Sequence, residues 1–348
     1  MNEKIKVGIT QGDINGISYE IILKTLADNR IYDLCTPIVY GSPKIAAYHR
    51  KTLNIPHFNF NNVKDAASAL PKRSNLINCV DDSLRVELGK STPSAGSAAL
   101  KSLELASQDL KNGEIDILLT APINKHNIQN EDFHFPGHTE YLAEKFDTKT
   151  PLMLMVGESL KVAVLTGHVP LCDVAKHVTK ENIIEKVKIL HNSLVKDFTI
   201  RGPKIAILGL NPHAGDQGLL GKEEQEIIIP AIEHLRNKEN IVALGPFSSD
   251  GLFGSNQISK FDAIFAMYHD QGLTPFKTIE FDTGVNFTAG LPVVRTSPGH
   301  GTAYEIAGIG KASPNSFRKA LYLACEIYKN RKMHEEITAE PLQKYDVE

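Results

Sequence analysis

The chain alternates between short apolar runs and longer segments in which apolar residues recur at helical spacing. Residues 4–10 form an apolar run that stops at Gly12 and Asp13, and residues 35–41 form a second that closes on glycine. Such runs, bounded by turn residues, are typical of buried strands. The same pattern predicts further strands within residues 115–122, 204–215 and 261–272, and helices over residues 18–28, 97–113, 223–237 and 316–332.

Repeated strand–helix alternation favours an α/β fold with mostly parallel strands. Residues 152–168 differ, because two β-rich runs flank Gly157, Glu158 and Ser159, which predicts an antiparallel hairpin. Residues 266–277, AMYHDQGLTPFK, are interpreted as a strand end followed by a loop that turns at Gly272 and Pro275.

Polar residues stand where the predicted strands end. In parallel sheets, ligands bind beyond the carboxyl ends of the strands, so these positions are the first candidates for a site. They are Asp13, His138, His168, His213, His269 and Asp270.

The length and the net charge of the chain limit the classes of protein to which it can belong. A chain of 348 residues exceeds what one core usually absorbs, which favours two lobes. The formal net charge of −3 gives no basic surplus for nucleic acid or an anionic membrane. The start of the sequence shows no apolar export signal, and four well-separated cysteines form no CxxC pair. A cytoplasmic protein with reduced thiols is therefore expected.

Three histidines follow apolar runs: His168, His213 and His269. Three neutral imidazoles bind Zn²⁺ and similar cations and leave an open position for substrate. Their wide spacing requires the fold to assemble any such site. The alternative is three unrelated histidines at the beginnings of loops.

Two other segments have the chemistry of anion binding. His138 and Thr139 stand at a predicted helix start, where free N–H groups suit an anion, although a plain helix cap is the alternative. Lys277, Asn286 and Arg295 provide two cations and an amide for a phosphate, with solvated surface charge as the alternative.

Common nucleotide and hydrolase motifs are missing. Gly89-Lys90-Ser91 resembles the end of a P-loop, but Leu84 stands where the first glycine is required. No G-x-G-x-x-G follows the first strand, and no G-x-S-x-G elbow is present. A dinucleotide would have to bind in another way.

Several segments occur in a fixed order over residues 137–308: GHTE, TGHVPL, GLNPHAG, AMYHDQGL, GVNFTAGLPVVRTS and HGTAYEIAG. Taken together, they closely resemble the 4-hydroxythreonine-4-phosphate dehydrogenase family of the vitamin B6 pathway. The likeness covers nearly the full length. It departs where the family's usual GDPAGIGPE reads GDINGISYE, and where Pro298 and Gly299 replace a common acidic position.

The resemblance implies two α/β/α lobes with a cleft between them, as in isocitrate and isopropylmalate dehydrogenases. Residues 1–125 with 290–348 would form the first lobe, on the cofactor side, and residues 126–289 the second, with the metal ligands and the interface of a homodimer. The active site would lie at that interface.

The resemblance also implies roles for individual residues. His168, His213 and His269 match the family's ligands for a divalent metal (Zn, Mg or Co), with His168 reaching the partner's site. His138, Thr139, Lys277, Asn286 and Arg295 match its substrate-binding positions. Gly301, Thr302 and Ala303 lie in the loop expected to receive NAD or NADP, and Asp270 is a candidate to orient His269 or relay a proton.

The implied reaction is NAD(P)-dependent oxidation of 4-phosphohydroxy-L-threonine at C3, followed by loss of CO₂. A sister group that oxidises 4-phospho-D-threonate or 4-phospho-D-erythronate has much the same motifs and remains an alternative. A metal-dependent phosphohydrolase and a non-catalytic metal-binding protein are alternatives from other classes. No partner beyond a second subunit and a phosphorylated small molecule is expected, and no nucleic acid or membrane.

Overall fold

A computed structural model describes residues 4–81, 83–130 and 133–340. Its strands form one sheet: β1 (Ile5–Thr10), β2 (Cys35–Gly41), β3 (Asn61–Val63), β4 (Asn75–Asn78), β5 (Ile117–Thr120), β6 (Leu152–Val156), β7 (Lys161–Thr166), β8 (Lys204–Leu208), β9 (Val242–Phe247), β10 (Ala263–Tyr268), β11 (Val285–Ala289) and β12 (Val294–Pro298). Their order across the sheet is β3-β4-β2-β1-β5-β12-β11-β6-β7-β10-β8-β9.

Helices accompany the sheet. They are α1 (Ser18–Leu26), α2 (Ile31–Leu34), α3 (Pro43–Thr52), α4 (Pro93–Lys111), α5 (His138–Lys145), α6 (Val174–His177), α7 (Lys180–Lys196), α8 (Ile229–Lys238), α9 (Ser249–Phe253), α10 (His269–Ile279) and α11 (Asn315–Thr338). Short 3₁₀ turns occupy Leu171–Asp173, Ile258–Lys260 and Tyr304–Ile306, and a π-helical turn, Glu224–Ile228, leads into α8. No helix in the described ranges is both long and apolar enough to cross a membrane.

The predicted mixture of parallel strands and one hairpin is confirmed. β6 and β7 pair antiparallel, with Leu154 opposite Ala163, and β11 pairs antiparallel with both β12 and β6. The other pairings in the sheet are parallel. The two blocks of parallel strands therefore meet at β11 and β6, in the middle of the sheet.

Within residues 266–277, the predicted strand end is correct, but the loop predicted after it is wrong. His269–Ile279 is the helix α10, which contains Pro275. Gly272 lets this helix lie close to the sheet, because an added Cβ would come within 2.8 Å of Val162 and 3.0 Å of Ala266. Leu273 and Phe276 are buried at helical spacing on the same side. The burial of these two side chains stabilises the helix by more than the missing N–H of Pro275 costs it. Pro275 favours a loop only when its neighbours in sequence are considered without the sheet.

The loop after β1 is buried against α3. His49 lies in α3, its Nε2 donates to the Ile14 carbonyl at 2.8 Å, and its ring stacks on Tyr19 with centroids 5.0 Å apart. Burial lowers the pKa of His49 to about 4, so the folded protein holds this ring neutral.

This burial predicts a loss of stability in acid. The folded pKa lies below the ordinary histidine value of 6.5, so the stabilising effect is complete above the unfolded pKa and is lost as the pH falls toward the folded one. Across that window the unfolded chain binds the extra proton, and about 3 kcal/mol of unfolding free energy should be lost. Urea unfolding of the wild type and His49→Phe over this window checks it. The variant should show a flatter pH dependence, and an unchanged slope would contradict the assignment.

Candidate active site

A cavity of about 260 Å³ opens above the middle of the sheet, where β11, β6 and β12 lie side by side. Met153, Met155 and Leu273 give its wall an apolar part. The candidate residues from the sequence that line it are His138, Thr139, His168, His269, Lys277, Asn286, Arg295 and Gly301. His213, Asp270, Thr302 and Ala303 are not among the lining residues.

Arg295 carries the most unusual charge in the cavity. It lies on β12, is 2% exposed, and is among the largest fully buried side chains. Its guanidinium donates to the Thr120 hydroxyl at 2.6 and 3.1 Å and to the Thr288 hydroxyl at 3.2 Å. No carboxylate of the described residues lies within ion-pair distance. Burial lowers its pKa to about 10, which still leaves it protonated at neutral pH.

Several polar atoms in the cavity wall have no partner among the residues that the structure describes. They are His138 Nε2, Glu140 Oε2, Asn286 Oδ1 and His300 Nε2, and each is buried. Burying an unpaired polar atom costs free energy, so native structures normally pair it with protein, water or ligand. The cavity thus presents hydrogen-bonding groups that a polar ligand would satisfy.

His138 begins α5, with Gly137 at the N-cap, as the sequence predicts. Burial, together with the positive charges of Arg295 and Lys125, holds its pKa well below the usual value. The imidazole is therefore neutral at physiological pH. Thr139 follows it, and its hydroxyl lies 3.5 Å from that of Thr288 on β11.

The three candidate metal ligands follow three neighbouring parallel strands, β7, β10 and β8. His168 and His269 share the cavity, with ring centroids 6.2 Å apart. His269 Nδ1 lies 2.6 Å from the Asp270 carboxylate, so Nδ1 is the donor in this contact, which in the neutral ring would leave the lone pair at Nε2. His213 is exposed and lies outside the cavity of its own chain.

A left-handed turn explains the position of His213. The residues His213–Gln217 all have positive φ, between 42° and 80°, a conformation that is unfavourable for residues other than glycine. The buried Glu224 carboxylate holds the start of this turn by accepting N–H bonds from Leu210 at 2.7 Å and Asn211 at 2.8 Å.

A single chain therefore supplies an incomplete set for a metal. Within the described part of one chain, no group of three or more His, Cys, Asp or Glu is arranged to hold a metal ion. Two imidazoles of the proposed set face the cavity, and the third would have to come from elsewhere.

The polar cavity residues that the sequence does not identify as site residues include Lys125, Glu140, Ser297 and His300. Lys125 lies in the loop after β5, and its Nζ is 2.8 Å from His168 Nε2. His300 follows β12, and burial lowers its pKa. His300 falls inside the quoted HGTA segment, so that segment was an available signal. Lys125 lies in residues 123–130, INKHNIQN, which resemble an ordinary polar loop.

Comparison with known proteins identifies clear relatives. The family model described as pyridoxal phosphate biosynthetic protein PdxA matches residues 33–324. The 4-hydroxythreonine-4-phosphate dehydrogenase of Bacteroides thetaiotaomicron is 53% identical over 98% of this chain and 93% of its own length. A putative D-threonate 4-phosphate dehydrogenase of Oceanobacillus iheyensis is 38% identical over 94% of this chain and 99% of its own length.

Solved structures agree with the fold. The crystal structure of 4-hydroxythreonine-4-phosphate dehydrogenase from Klebsiella pneumoniae matches with a TM-score of 0.81 and 33% identity, covering 94% of this chain and 99% of that one. Isocitrate dehydrogenase from Methylococcus capsulatus matches with a TM-score of 0.52 and 11% identity, covering 96% of this chain and 89% of that one. The latter likeness concerns the fold alone and confirms the expected α/β class.

Proposed function

The chain belongs to the PdxA family of pyridoxal phosphate biosynthetic proteins, and we propose that it oxidises 4-phosphohydroxy-L-threonine at C3 with NAD or NADP as the hydride acceptor. The product, 2-amino-3-oxo-4-phosphooxybutanoate, then loses CO₂ to give 3-amino-2-oxopropyl phosphate. This places the enzyme in pyridoxal 5'-phosphate biosynthesis.

The observation that carries the proposal is the buried guanidinium of Arg295, which has two threonine hydroxyls as partners but no carboxylate among the described residues. A buried cation without a counter-ion is costly to the folded protein, and a bound anion removes that cost. The phosphate of the substrate is a suitable anion, because guanidinium groups bind phosphate through two parallel hydrogen bonds. Lys277 and Asn286 line the same cavity and would complete the contacts to phosphate.

Anchoring the phosphate fixes the rest of the substrate. With one end held, C3 is kept at a set position relative to the cofactor, which replaces a search in solution by a defined geometry. The neutral His138 and the Thr139 hydroxyl would bind a polar group near the reacting carbon. Met153, Met155 and Leu273 make part of the cavity wall apolar.

A divalent metal (Zn²⁺, Mg²⁺ or Co²⁺), held by His168, His213 and His269, would supply a Lewis acid for the C3 hydroxyl. Asp270 supports this role by keeping the lone pair of His269 at Nε2. Because one chain gathers two of the three histidines, we propose that a homodimer completes the set. Leu171 and Leu219 are 72% and 78% exposed, and each lies near one of these histidines in sequence. Exposed apolar side chains in such places suit a subunit interface.

We further propose that the cofactor approaches from the loop of Gly301, Thr302 and Ala303. Gly301 lines the cavity, and the Thr302 carbonyl accepts from Ile17 N–H at 3.0 Å, which ties this loop to the one after β1. The strand order supports the division into lobes of residues 1–125 with 290–348 and residues 126–289. β1 to β5 and β12 form one half of the strand order, and β6 to β11 form the other half.

The proposed function predicts metal-dependent formation of reduced nicotinamide. Enzyme with 4-phosphohydroxy-L-threonine and NAD⁺ or NADP⁺ should show a rise in absorbance at the reduced-nicotinamide band. Treatment with a chelator should abolish this rise, and Zn²⁺, Mg²⁺ or Co²⁺ should restore it. Phosphate release without nicotinamide reduction would instead indicate a hydrolase, and a monomer by analytical ultracentrifugation would contradict the shared site.

The oxidation of 4-phospho-D-threonate or 4-phospho-D-erythronate is the second candidate. It is favoured by one relative, the putative D-threonate 4-phosphate dehydrogenase of Oceanobacillus iheyensis. Both candidates need the same phosphate contacts. Comparing kcat/KM for the three substrates in the same assay separates them.

A further inference from the structure

Phe281 lies in the turn between α10 and β11, with its ring in solvent. Its side chain is 85% exposed, the highest value for a large apolar residue in the part of the chain that the structure describes. Burial of a phenylalanine ring stabilises a folded protein considerably, and this ring does not make that contribution. A single exposed apolar side chain is common on protein surfaces, so its meaning depends on how firmly the backbone presents it.

Both neighbours of Phe281 in the sequence are fixed by hydrogen bonds. Glu280 is buried, and its carboxylate accepts from the Ser159 N–H at 2.8 Å and from the Ser159 hydroxyl at 2.7 Å. The Asp282 carboxylate accepts from the side chain of Asn315, the first residue of α11. These contacts join the turn to the β6–β7 hairpin on one side and to α11 on the other. The protein therefore holds the Phe281 ring in solvent at a defined place.

The turn borders the loop from which the cofactor is proposed to approach. Lys277, four residues before Phe281, lines the cavity, and so does Gly299. The Gly299 N–H donates to the Gly284 carbonyl at 3.1 Å, and the Gly284 N–H donates to the Glu280 carbonyl at 2.9 Å. Phe281 itself is not among the lining residues. Its ring is therefore near the cavity and the loop after β12, but outside the cavity wall.

The loop after β12 has features that fit a dinucleotide. The His300 Nδ1 donates to the Gly301 carbonyl at 3.2 Å, and its buried Nε2 has no partner among the described residues. In the neutral ring, Nε2 can accept a hydrogen bond from a ribose hydroxyl. A Cβ added at Gly301 would meet no atom within 4 Å, so the backbone leaves room for a ligand at this point.

The chemistry of the cofactor decides which of its parts Phe281 can meet. NAD and NADP each carry two flat rings, nicotinamide and adenine, joined through two riboses and a pyrophosphate. Hydride transfer requires the nicotinamide beside C3 of the substrate, inside the cavity. The adenine ring is then left outside the cavity. A fixed aromatic side chain is a suitable surface for it, because nucleic-acid bases stack on aromatic rings.

We propose that the Phe281 ring stacks on the adenine ring of the cofactor and so contributes to cofactor affinity. The inference rests on the proposed function and deepens it. NAD and NADP have the same adenine ring, so this contact serves both. Phe281 should therefore affect the binding of every ligand that carries the adenine end, and should not affect a ligand that consists of the nicotinamide end alone.

Direct binding separates the two ends of the cofactor. The dissociation constants of NADH, ADP-ribose and reduced nicotinamide mononucleotide are to be measured by calorimetry with the wild type, Phe281→Ala and Leu70→Ala. Leu70 is 51% exposed and lies outside the cavity, which makes it the matched control. Phe281→Ala should weaken NADH and ADP-ribose about tenfold and leave the mononucleotide within about twofold. Leu70→Ala should change none of the three.

A tryptophan at the same position reports the contact itself. The sequence contains no tryptophan, so Phe281→Trp introduces the only one and keeps an aromatic surface for stacking. ADP-ribose should quench the fluorescence of this tryptophan, because its adenine ring would lie against the indole. The affinity of Phe281→Trp for NADH should stay within about twofold of the wild type. Leu70→Trp, measured in the same way, should show no quenching.

Other results would overturn the inference. If Phe281→Ala binds ADP-ribose as the wild type does, or if the new tryptophan is not quenched, the ring does not contact adenine, although the proposed function can still hold. If sedimentation shows that Phe281→Ala is a monomer where the wild type is a dimer, the ring belongs to a subunit interface instead. If the wild type binds neither NADH nor NADPH, the proposed function itself fails.

Discussion

Replacing Arg295 by methionine is expected to lower kcat/KM by about two to three orders of magnitude, because the phosphate loses a charged, two-point contact. The same change should not lower the free energy of unfolding. Arg295 is buried and has two threonine hydroxyls as partners but no carboxylate in the described chain. Replacing such a charge by an apolar side chain of similar length is neutral or stabilising. Steady-state kinetics and urea unfolding of the same preparation measure both effects.

Arg331 provides the matched control. It is also buried, but its guanidinium pairs with Asp197 at 2.6 Å and donates to the Leu291 carbonyl at 3.0 Å. Arg331→Met should therefore leave Asp197 buried and unpaired and lower the unfolding free energy by about 3–5 kcal/mol. The folded fraction should keep its kcat/KM. If the two variants lose stability equally and Arg295→Met keeps its activity, Arg295 is a structural residue.

Gly96→Ala is expected to lower the free energy of unfolding by about 3 kcal/mol or more, at the upper end for an overpacked core. Gly96 lies in α4, and an added Cβ would stand 1.8 Å from the Asn127 carbonyl oxygen and 2.4 Å from its carbon. Both are backbone atoms, so a side-chain rotation does not relieve the clash. Urea unfolding measures the loss.

The same substitution should also disturb the active site and lower its activity. The Asn127 side chain donates to the Asp13 carboxylate at 2.8 Å, and its backbone belongs to the loop that carries Lys125. Displacing this loop should lower kcat/KM in the molecules that still fold. Gly167→Ala is the control for stability, because an added Cβ there meets nothing within 4 Å. Equal stability of the two variants would contradict the close packing at Gly96.

Much of the fold can be predicted from local patterns. β2 occupies the predicted residues 35–41 in full, and the hairpin of β6 and β7 lies where two β-rich runs flank a polar turn. Here the sequence preferences and the tertiary structure agree, so each run of residues forms the element that it favours. The loop predicted at the position of α10 is wrong. Gly272 and Pro275 by themselves favour a turn, but close contact with the sheet favours a helix.

The residues of the site likewise include some that the sequence predicts and some that it does not. His138 can be predicted from the sequence because it stands at a helix start. Lys277 and Arg295 can be predicted because two cations in one segment with an amide have the chemistry of phosphate binding. Lys125 could not, because a lysine in a polar loop looks like a solvated charge until the fold places it 2.8 Å from His168. The position of His213 could not be predicted from the sequence either. Its left-handed turn includes alanine and glutamine, which do not favour this conformation, so the local sequence gives no sign of it.

The place of β12 in the sheet has a consequence for the nascent chain. β5 ends at Thr120 and pairs with β1 on one side, but its neighbour on the other side, β12, begins only at Val294. At ribosomal rates of about 5–20 residues per second, the edge of β5 stays without its partner for roughly ten to thirty seconds. β5 is buried at every position in the finished protein, so during synthesis this edge is a natural point of attachment for a chaperone or for another unfinished chain.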